Sequence, residues 1–377
     1  MKKELTYLAA ASLGLMSLTS TAFADEEVKA APSLSSVLEA SGITATGYVA
    51  ASFYDQTADT ASHQFDTLHD SYQLDQAAFT LAYQPKEGFG ALVNVVAGQD
   101  ARLINAATSG NTSSADSSPY SIAQAYVQYV GGPVTIIAGK YATLAGAEVF
   151  APTGNANYSR SLLFFNEPLL HTGVRATVAV NDVFGFSLGV NNGWNYDTSS
   201  TSKTAEVGIS LTPSKKFALT AQGYSGEDPN GLAGTGAGKR TFFDLVATIN
   251  ATDSLSFVVS YDNGKQESDA SLVSDFKWDG IAAYVNVQFT DQWRLSVRGE
   301  TMTFKQDGNP DVKQSEVTAT VGFAPVKSFE LRAEVRQDMV DKINGVGIFD
   351  KVFDGPGALT DPTDNGTEFA LQGVYKF

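Results

Sequence analysis

Gly366-Thr-Glu-Phe-Ala-Leu-Gln-Gly-Val-Tyr-Lys-Phe377 is the stretch that decides the fold, because Phe369, Leu371, Gly373, Tyr375 and Phe377 fall on alternate positions. In an extended strand alternate side chains share a face, so one side is apolar and aromatic while the other carries Glu368 and Gln372. Such a strand, about ten residues long and finishing on an aromatic residue, has the pattern of one that crosses a bilayer within a barrel. Lipid tolerates no unpaired strand edge, so the rest of the chain has to supply the other strands.

Working back through the 377 residues, the same alternation recurs about sixteen times, from 43–54, 72–84 and 89–99 through 276–289, 292–305, 313–323 and 328–340 to 366–377. Short turns such as Pro85 to Gly88, Gly131-Gly132, Asn181-Asp182 and Thr290-Asp291 alternate with longer polar connections near 55–71, 100–119, 141–170 and 341–365. The fold class predicted is therefore all-β: a transmembrane antiparallel up-and-down barrel of about sixteen strands spanning 43–377, with short periplasmic turns and long extracellular loops. Phe79, Tyr83, Tyr129, Phe184, Phe289, Trp293, Phe323, Phe329 and Tyr375 sit on the outward face near short turns, as an interfacial aromatic girdle would.

The opposite end agrees with export. Lys2 and Lys3 precede an apolar run from Leu8 to Leu18 and then Thr21-Ala22-Phe23-Ala24, so residues 1–24 read as a cleaved signal peptide. Residues 25–42 then form a periplasmic segment, with a short helix expected from an N-cap near Ser33. The chain has no cysteine, which removes disulfide, thiol and zinc-thiolate chemistry. Its net charge of -16 argues against nucleic acid as a partner.

The inward face carries the candidate site. Arg294, Ser296, Arg298 and Glu300 alternate with Trp293, Leu295 and Val297, while Glu330, Arg332, Glu334 and Arg336 alternate with Phe329, Leu331, Ala333 and Val335. An arginine facing lipid at the midplane costs about 2–4 kcal/mol, so the charged set is predicted to line a wet lumen. Arg175, Tyr126, Gln128, Asp244, Tyr284, Asn286 and Gln288 are further inward candidates, a mixed lining that suits hydrophilic solutes. Two roles stay open for the charges: selecting solutes, or rigidifying the wall as a salt-bridged ladder.

Residues 141–170 form the longest connection with apolar content and contain Glu148, Tyr158, Arg160 and Glu167. A connection this apolar is predicted to fold into the barrel and narrow it, with a field running from the arginine wall to Glu148 and Glu167. Within and just after it, Asn157-Tyr158-Ser159-Arg160, Pro168 and His171-Thr172-Gly173-Val174-Arg175 resemble the β-barrel porin-2 family of Gram-negative outer-membrane proteins. The resemblance implies a porin-like barrel and carries no assigned substrate.

Several look-alikes for other chemistry weigh less. Gly231 to Arg240 is glycine-rich like a phosphate-binding loop, but Arg240 stands where Ser or Thr is required. His63 and His69 lie near Asp66 and Asp70 in the first loop, a weak metal set against the simpler reading of a solvated loop. His171 is more readily a packing residue than a base, and no serine has a nucleophile context, so no catalytic residue is assigned. The acidic run Asp361 to Glu368 lacks the spacing of a calcium loop, and neither a metal nor a cofactor is expected.

Taken together the residues predict a non-enzymatic outer-membrane porin for passive diffusion of small hydrophilic solutes and ions. Its expected partners are outer-membrane lipid, small hydrophilic solutes and the barrel-assembly machinery acting on the strand that ends at Phe377; the resemblance to sixteen-stranded porins implies a homotrimer, although no outward patch in the sequence identifies a subunit interface. The alternatives are a plugged structural or adhesive barrel and, less readily, a barrel enzyme.

Overall fold

The computed structural model describes residues 38, 40–57, 63–68, 70–109, 118–198, 202–229, 231, 237–269, 274–340 and 365–377. The signal-peptide reading, His69, most of the helix expected before residue 42 and Asp361 to Asp364 lie outside these residues; Leu38, Ala40 and Ser41 close a helical turn.

Among the described residues sixteen strands run in order: β1 (Ile43–Gln56), β2 (Ser71–Tyr83), β3 (Gly88–Ala97), β4 (Tyr120–Gly131), β5 (Val134–Ala142), β6 (Leu170–Ala179), β7 (Phe184–Asn191) and β8 (Thr204–Ser214). They continue as β9 (Phe217–Asp228), β10 (Gly238–Thr252), β11 (Leu255–Gln266), β12 (Phe276–Gln288), β13 (Trp293–Gln306), β14 (Val312–Val326), β15 (Phe329–Val340) and β16 (Asn365–Lys376). Each strand pairs with its sequence neighbours, and β16 returns to β1 to close the barrel. All pairings are antiparallel, as an even count with hairpin connections requires, and no edge is left for lipid. At the seam Phe377 exchanges two backbone hydrogen bonds with Gly47, each 2.9 Å. Its ring lies where a side chain on Gly47 would stand, so that glycine admits the aromatic.

Polarity is inverted relative to a soluble protein. Tyr72, Phe89, Leu371 and Phe369 are exposed on the outer face, whereas Arg298, Glu316, Thr320 and Asp262 are buried. On β14, Val317, Ala319 and Val321 face outward between inward Glu316, Thr318 and Thr320. Apolar residues outside and polar ones within are what a membrane barrel demands. The aromatics expected in the girdle do point outward, with Trp293 and Phe323 packed at 4.5 Å between ring centroids. Among the described residues no helix is long and apolar enough to cross a membrane.

The structure departs from the sequence reading in the second long connection, expected to be polar loop. There α1 (Gln99–Thr108) lays Ala101 and Ile104 against inward-facing Ala78, Val96 and Ala123. Gly98, at φ 123°, turns the chain out of β3 and into this helix. Phe65 from the first connection and Phe150 and Phe164 from the third join the same cluster, so loops from one mouth build a small apolar core inside the barrel.

Candidate functional site

The third long connection, L3 (residues 143–169), lies within the barrel and carries a short 3₁₀ turn (Pro152–Gly154) and a single helical turn, α2 (Leu162–Phe165). Most of its backbone has no partner within the loop. Buried peptide groups need partners, and the inward side chains of β13 to β15 provide them.

The pattern is regular. Glutamates take the loop's N–H groups: Glu334 accepts from Tyr158 (2.6 Å) and Ser159 (2.9 Å), and Glu300 accepts from Leu162 (2.7 Å) and Leu163 (3.3 Å). Arginines take its carbonyls: Arg332 donates to Pro152 (3.0 Å), Arg294 to Ala156 (2.6 Å), Arg298 to Ser159 (3.0 Å) and Arg336 to Arg160 (2.8 Å). Asn157 bridges β13 and β14 by donating to Thr320 (2.6 Å) and accepting from Ser296 (3.1 Å). The Glu300 carboxylate sits at the N-terminus of α2, where unpaired N–H groups favour negative charge, and Ser161 Oγ caps Phe164 N.

Arg298 is the centre of this clamp and has no exposed surface. It donates to Glu316 (2.7 Å) on β14 and Glu148 (2.8 Å) in L3, as well as to Ser159 Oγ (2.9 Å). Glu148 in turn accepts from Ser161 N at 2.6 Å, so one wall arginine fixes two separated parts of the loop. Arg336 also pairs with Asp338 at 2.8 Å.

The charges predicted to face water therefore divide. All point inward, but Arg298, Glu300, Arg332, Glu334 and Arg336 are buried beneath L3, Arg332 at the edge of the cavity described next. Arg294, Glu330 and Arg332 line a polar cavity of about 430 Å³ beside residues 153–156 of the loop. A second cavity, about 410 Å³, lies across the same turn and is lined by Tyr48, Thr80, Asn94 and Gln124. Arg175 also points inward and pairs with Glu206.

The expected field across an aqueous gap takes a different form, because Glu148 touches the arginine wall directly and Glu167 is far along the wall, beside Asp244 and Asp262. Burial, then the charges of Asp244 and Glu148, push the Glu167 carboxyl well above its usual range. Arg160 and Tyr158 are braces as well. The Arg160 guanidinium donates to the carbonyls of Val149, Tyr158 and Phe150 at 2.7 to 3.0 Å and lies over Phe65. Tyr158 reaches Ser52 and Gln73 on β1 and β2 through its hydroxyl, both at 3.3 Å.

The first connection is not solvated at His63, contrary to the reading above. The imidazole is buried between Asp66 (2.9 Å), Glu368 (2.9 Å) and Asp338 (3.5 Å), latching the loop to the inner wall. Burial opposes its charge, but Asp66 and Glu368 outweigh that and raise its pKa well above 6.5. His171 stacks on Tyr224 at 5.1 Å, in a packing role. Lys239 and Arg240 open a strand rather than a helix, so the phosphate-loop resemblance has no structural support, and residues 232–236 lie outside the described ones. Sequence reading named Asp244 as an inward candidate and Glu167 in the folded-in loop but missed Asp262 and the meeting of the three.

A closed barrel, apolar outside and charged within, with a long loop clamped inside it, defines an outer-membrane barrel of the porin type. Residues 42–367 match the family described as "Putative beta-barrel porin-2, OmpL-like", and the chain belongs to it. Solved structures share the fold at low identity. A loop L8 deletion mutant of OmpT, an outer-membrane protein of Vibrio cholerae, superposes with a TM-score of 0.63 at 12% identity, covering 89% of this chain and 99% of that one. The anion-selective porin from Comamonas acidovorans gives 0.61 at 11% identity, over 89% and 99%. The outer-membrane channel DcaP of Acinetobacter baumannii gives 0.59 at 11%, over 89% and 97%. No curated protein matches the sequence.

Proposed function

We propose that this protein is a porin: a non-enzymatic outer-membrane channel through which small hydrophilic solutes and ions diffuse passively. The observation that carries the reading is the polar inner wall with its two cavities flanking the 152–156 turn of L3. Arg294 and Glu330 are the charges placed to meet a solute, whereas Arg298, Glu300, Arg332, Glu334 and Arg336 hold the loop that sets the bore. Residues 1–24 act as the export signal in this reading, and the strand ending at Phe377 engages the assembly machinery. Assembly as a homotrimer finds support in a trimer form described for OmpT of Vibrio cholerae.

Single-channel recording in a planar bilayer tests the proposal. Stable current steps from the wild type, enlarged when L3 is replaced by a short turn joining Ala142 to Leu170, are expected. The second reading, a barrel closed by L3, is favoured by the complete burial of Arg298 and its neighbours. It predicts a silent wild type that conducts only once L3 is shortened. Silence from both would sink the channel reading.

A further inference from the structure

We propose that Glu167, Asp244 and Asp262 form a binding site for one Ca²⁺ that pins the C-terminal end of L3 to the wall at β10 and β11. Asp244 and Asp262 are direct cross-strand partners, and Glu167 comes down on them from the C-terminal end of L3. An oxygen from each lies within 4.8 Å of the others, and all three residues are at least nine-tenths buried.

What separates this triad from the other buried acids is that it lacks a countercharge and nearly all hydrogen-bond donors together, whereas Asp75, Asp100 and Glu334, likewise without an ion pair, accept hydrogen bonds from neighbouring groups. Glu148, Glu206 and Glu316 each carry an arginine, whereas among the described residues no lysine, arginine or histidine pairs with any member of the triad. Both oxygens of Asp244, both of Asp262 and Oε2 of Glu167 have no partner in hydrogen-bond geometry. A neutral oxygen joins them: Ser260 Oγ, in a residue 1% exposed, stands beside Asp244 and is itself without a partner in that geometry. Unpaired buried charge is among the costliest arrangements in a protein, and a bound cation removes the penalty.

The donor chemistry selects the ion. Every ligand is oxygen, so a hard cation fits and soft transition metals do not. Carboxylates from a strand pair and a loop offer irregular geometry, which Ca²⁺ accepts with six to eight ligands and Mg²⁺ does not. Gly146, at φ 84°, approaches the same point from the start of L3. Its N–H lies near Asp244 without reaching hydrogen-bond geometry, and a side chain there would collide with the Glu167 carboxylate. The ion would therefore fix position 167 to the barrel, with Gly146 packed against the same carboxylate, on the stretch of wall that the arginine clamp does not reach.

The test uses the purified, folded protein in detergent, stripped with EDTA and titrated calorimetrically with CaCl₂. A single Ca²⁺ per chain, bound at or below about 1 mM, is expected, together with an upward shift of the thermal unfolding midpoint. Asp244→Asn with Asp262→Asn keeps the shape and removes two charges, and should abolish both effects. Glu167→Gln lies on the loop rather than the wall, so it reports even where the double variant does not fold. Absence of binding by the wild type would overturn the proposal in favour of carboxyls sharing protons, and so would undiminished binding by these variants. Neither outcome touches the channel reading, because conductance is measured separately.

Discussion

Arg298→Ala should loosen L3 more than any other single truncation. The side chain makes six hydrogen bonds, four to L3 (Glu148, Ser159 O, Ser159 Oγ and Arg160 O) and two to β14 (Glu316 and Thr318). Its removal leaves Glu148, Glu300 and Glu316 buried around a vanished cation. Breaking a buried pair from one side costs about 3–5 kcal/mol, which shifts the docked-to-undocked ratio of the loop tip by roughly two to four orders of magnitude. The barrel keeps its sixteen-strand hydrogen-bond ladder, so the loss falls on the loop. Arg294→Ala is the control, because that guanidinium is 20% exposed and holds L3 through one carbonyl. In bilayer recordings Arg298→Ala should show larger and noisier current than wild type, with a lower urea midpoint for the heat-modifiable band, and Arg294→Ala should sit between them. Identical midpoints and currents for Arg298→Ala and wild type would refute the clamp.

Three further outcomes follow from the geometry. Arg294→Glu replaces a cation in the 430 Å³ cavity with an anion, so the reversal potential under a salt gradient should move toward cation preference; no movement removes that cavity from the ion path. Gly146→Ala forces a side chain onto φ 84° and into the Glu167 carboxylate, and should lower the stability read from urea unfolding by about 1–3 kcal/mol, with an unchanged midpoint counting against the loop geometry. His63 has a folded pKa raised above its unfolded value, so its contribution is complete below about pH 6.5 and is lost as pH climbs through the raised value. Protease sensitivity of the first long loop should accordingly increase at alkaline pH, and His63→Ala should be sensitive throughout; a pH-independent wild type would contradict this.

The barrel was legible because side-chain period depends only on neighbours in sequence. Trp293 to Glu300 and Phe329 to Arg336 announce their faces without help from the rest of the chain. The helix α1 was harder: it has under three turns, and of its buried positions Asp100, Ala101, Ile104 and Thr108 only two are apolar. The inward direction of the arginines could be read, but not their burial. Arg298 meets the Ser159 carbonyl across 139 residues and Arg332 meets that of Pro152 across 180, and a backbone carbonyl is something every residue type supplies. Side chain to backbone pairing therefore leaves no trace in local composition. The acidic triad was half legible, since Asp244 and Asp262 lie equally far on either side of Asp253 in the hairpin turn; Glu167 arrives from a loop whose path only the structure gives.

The clamp also orders events in time. L3 is made before β13, β14 and β15, yet the partners of its residues 152–163 include side chains on those later strands. It can settle only after those later strands have paired and turned their charged faces toward it, so its docking belongs to the downhill side of the folding barrier. Interactions formed that late slow unfolding without speeding folding. The arginine and glutamate rows would thus act chiefly on the lifetime of the finished barrel, leaving its rate of formation to the strand pairs.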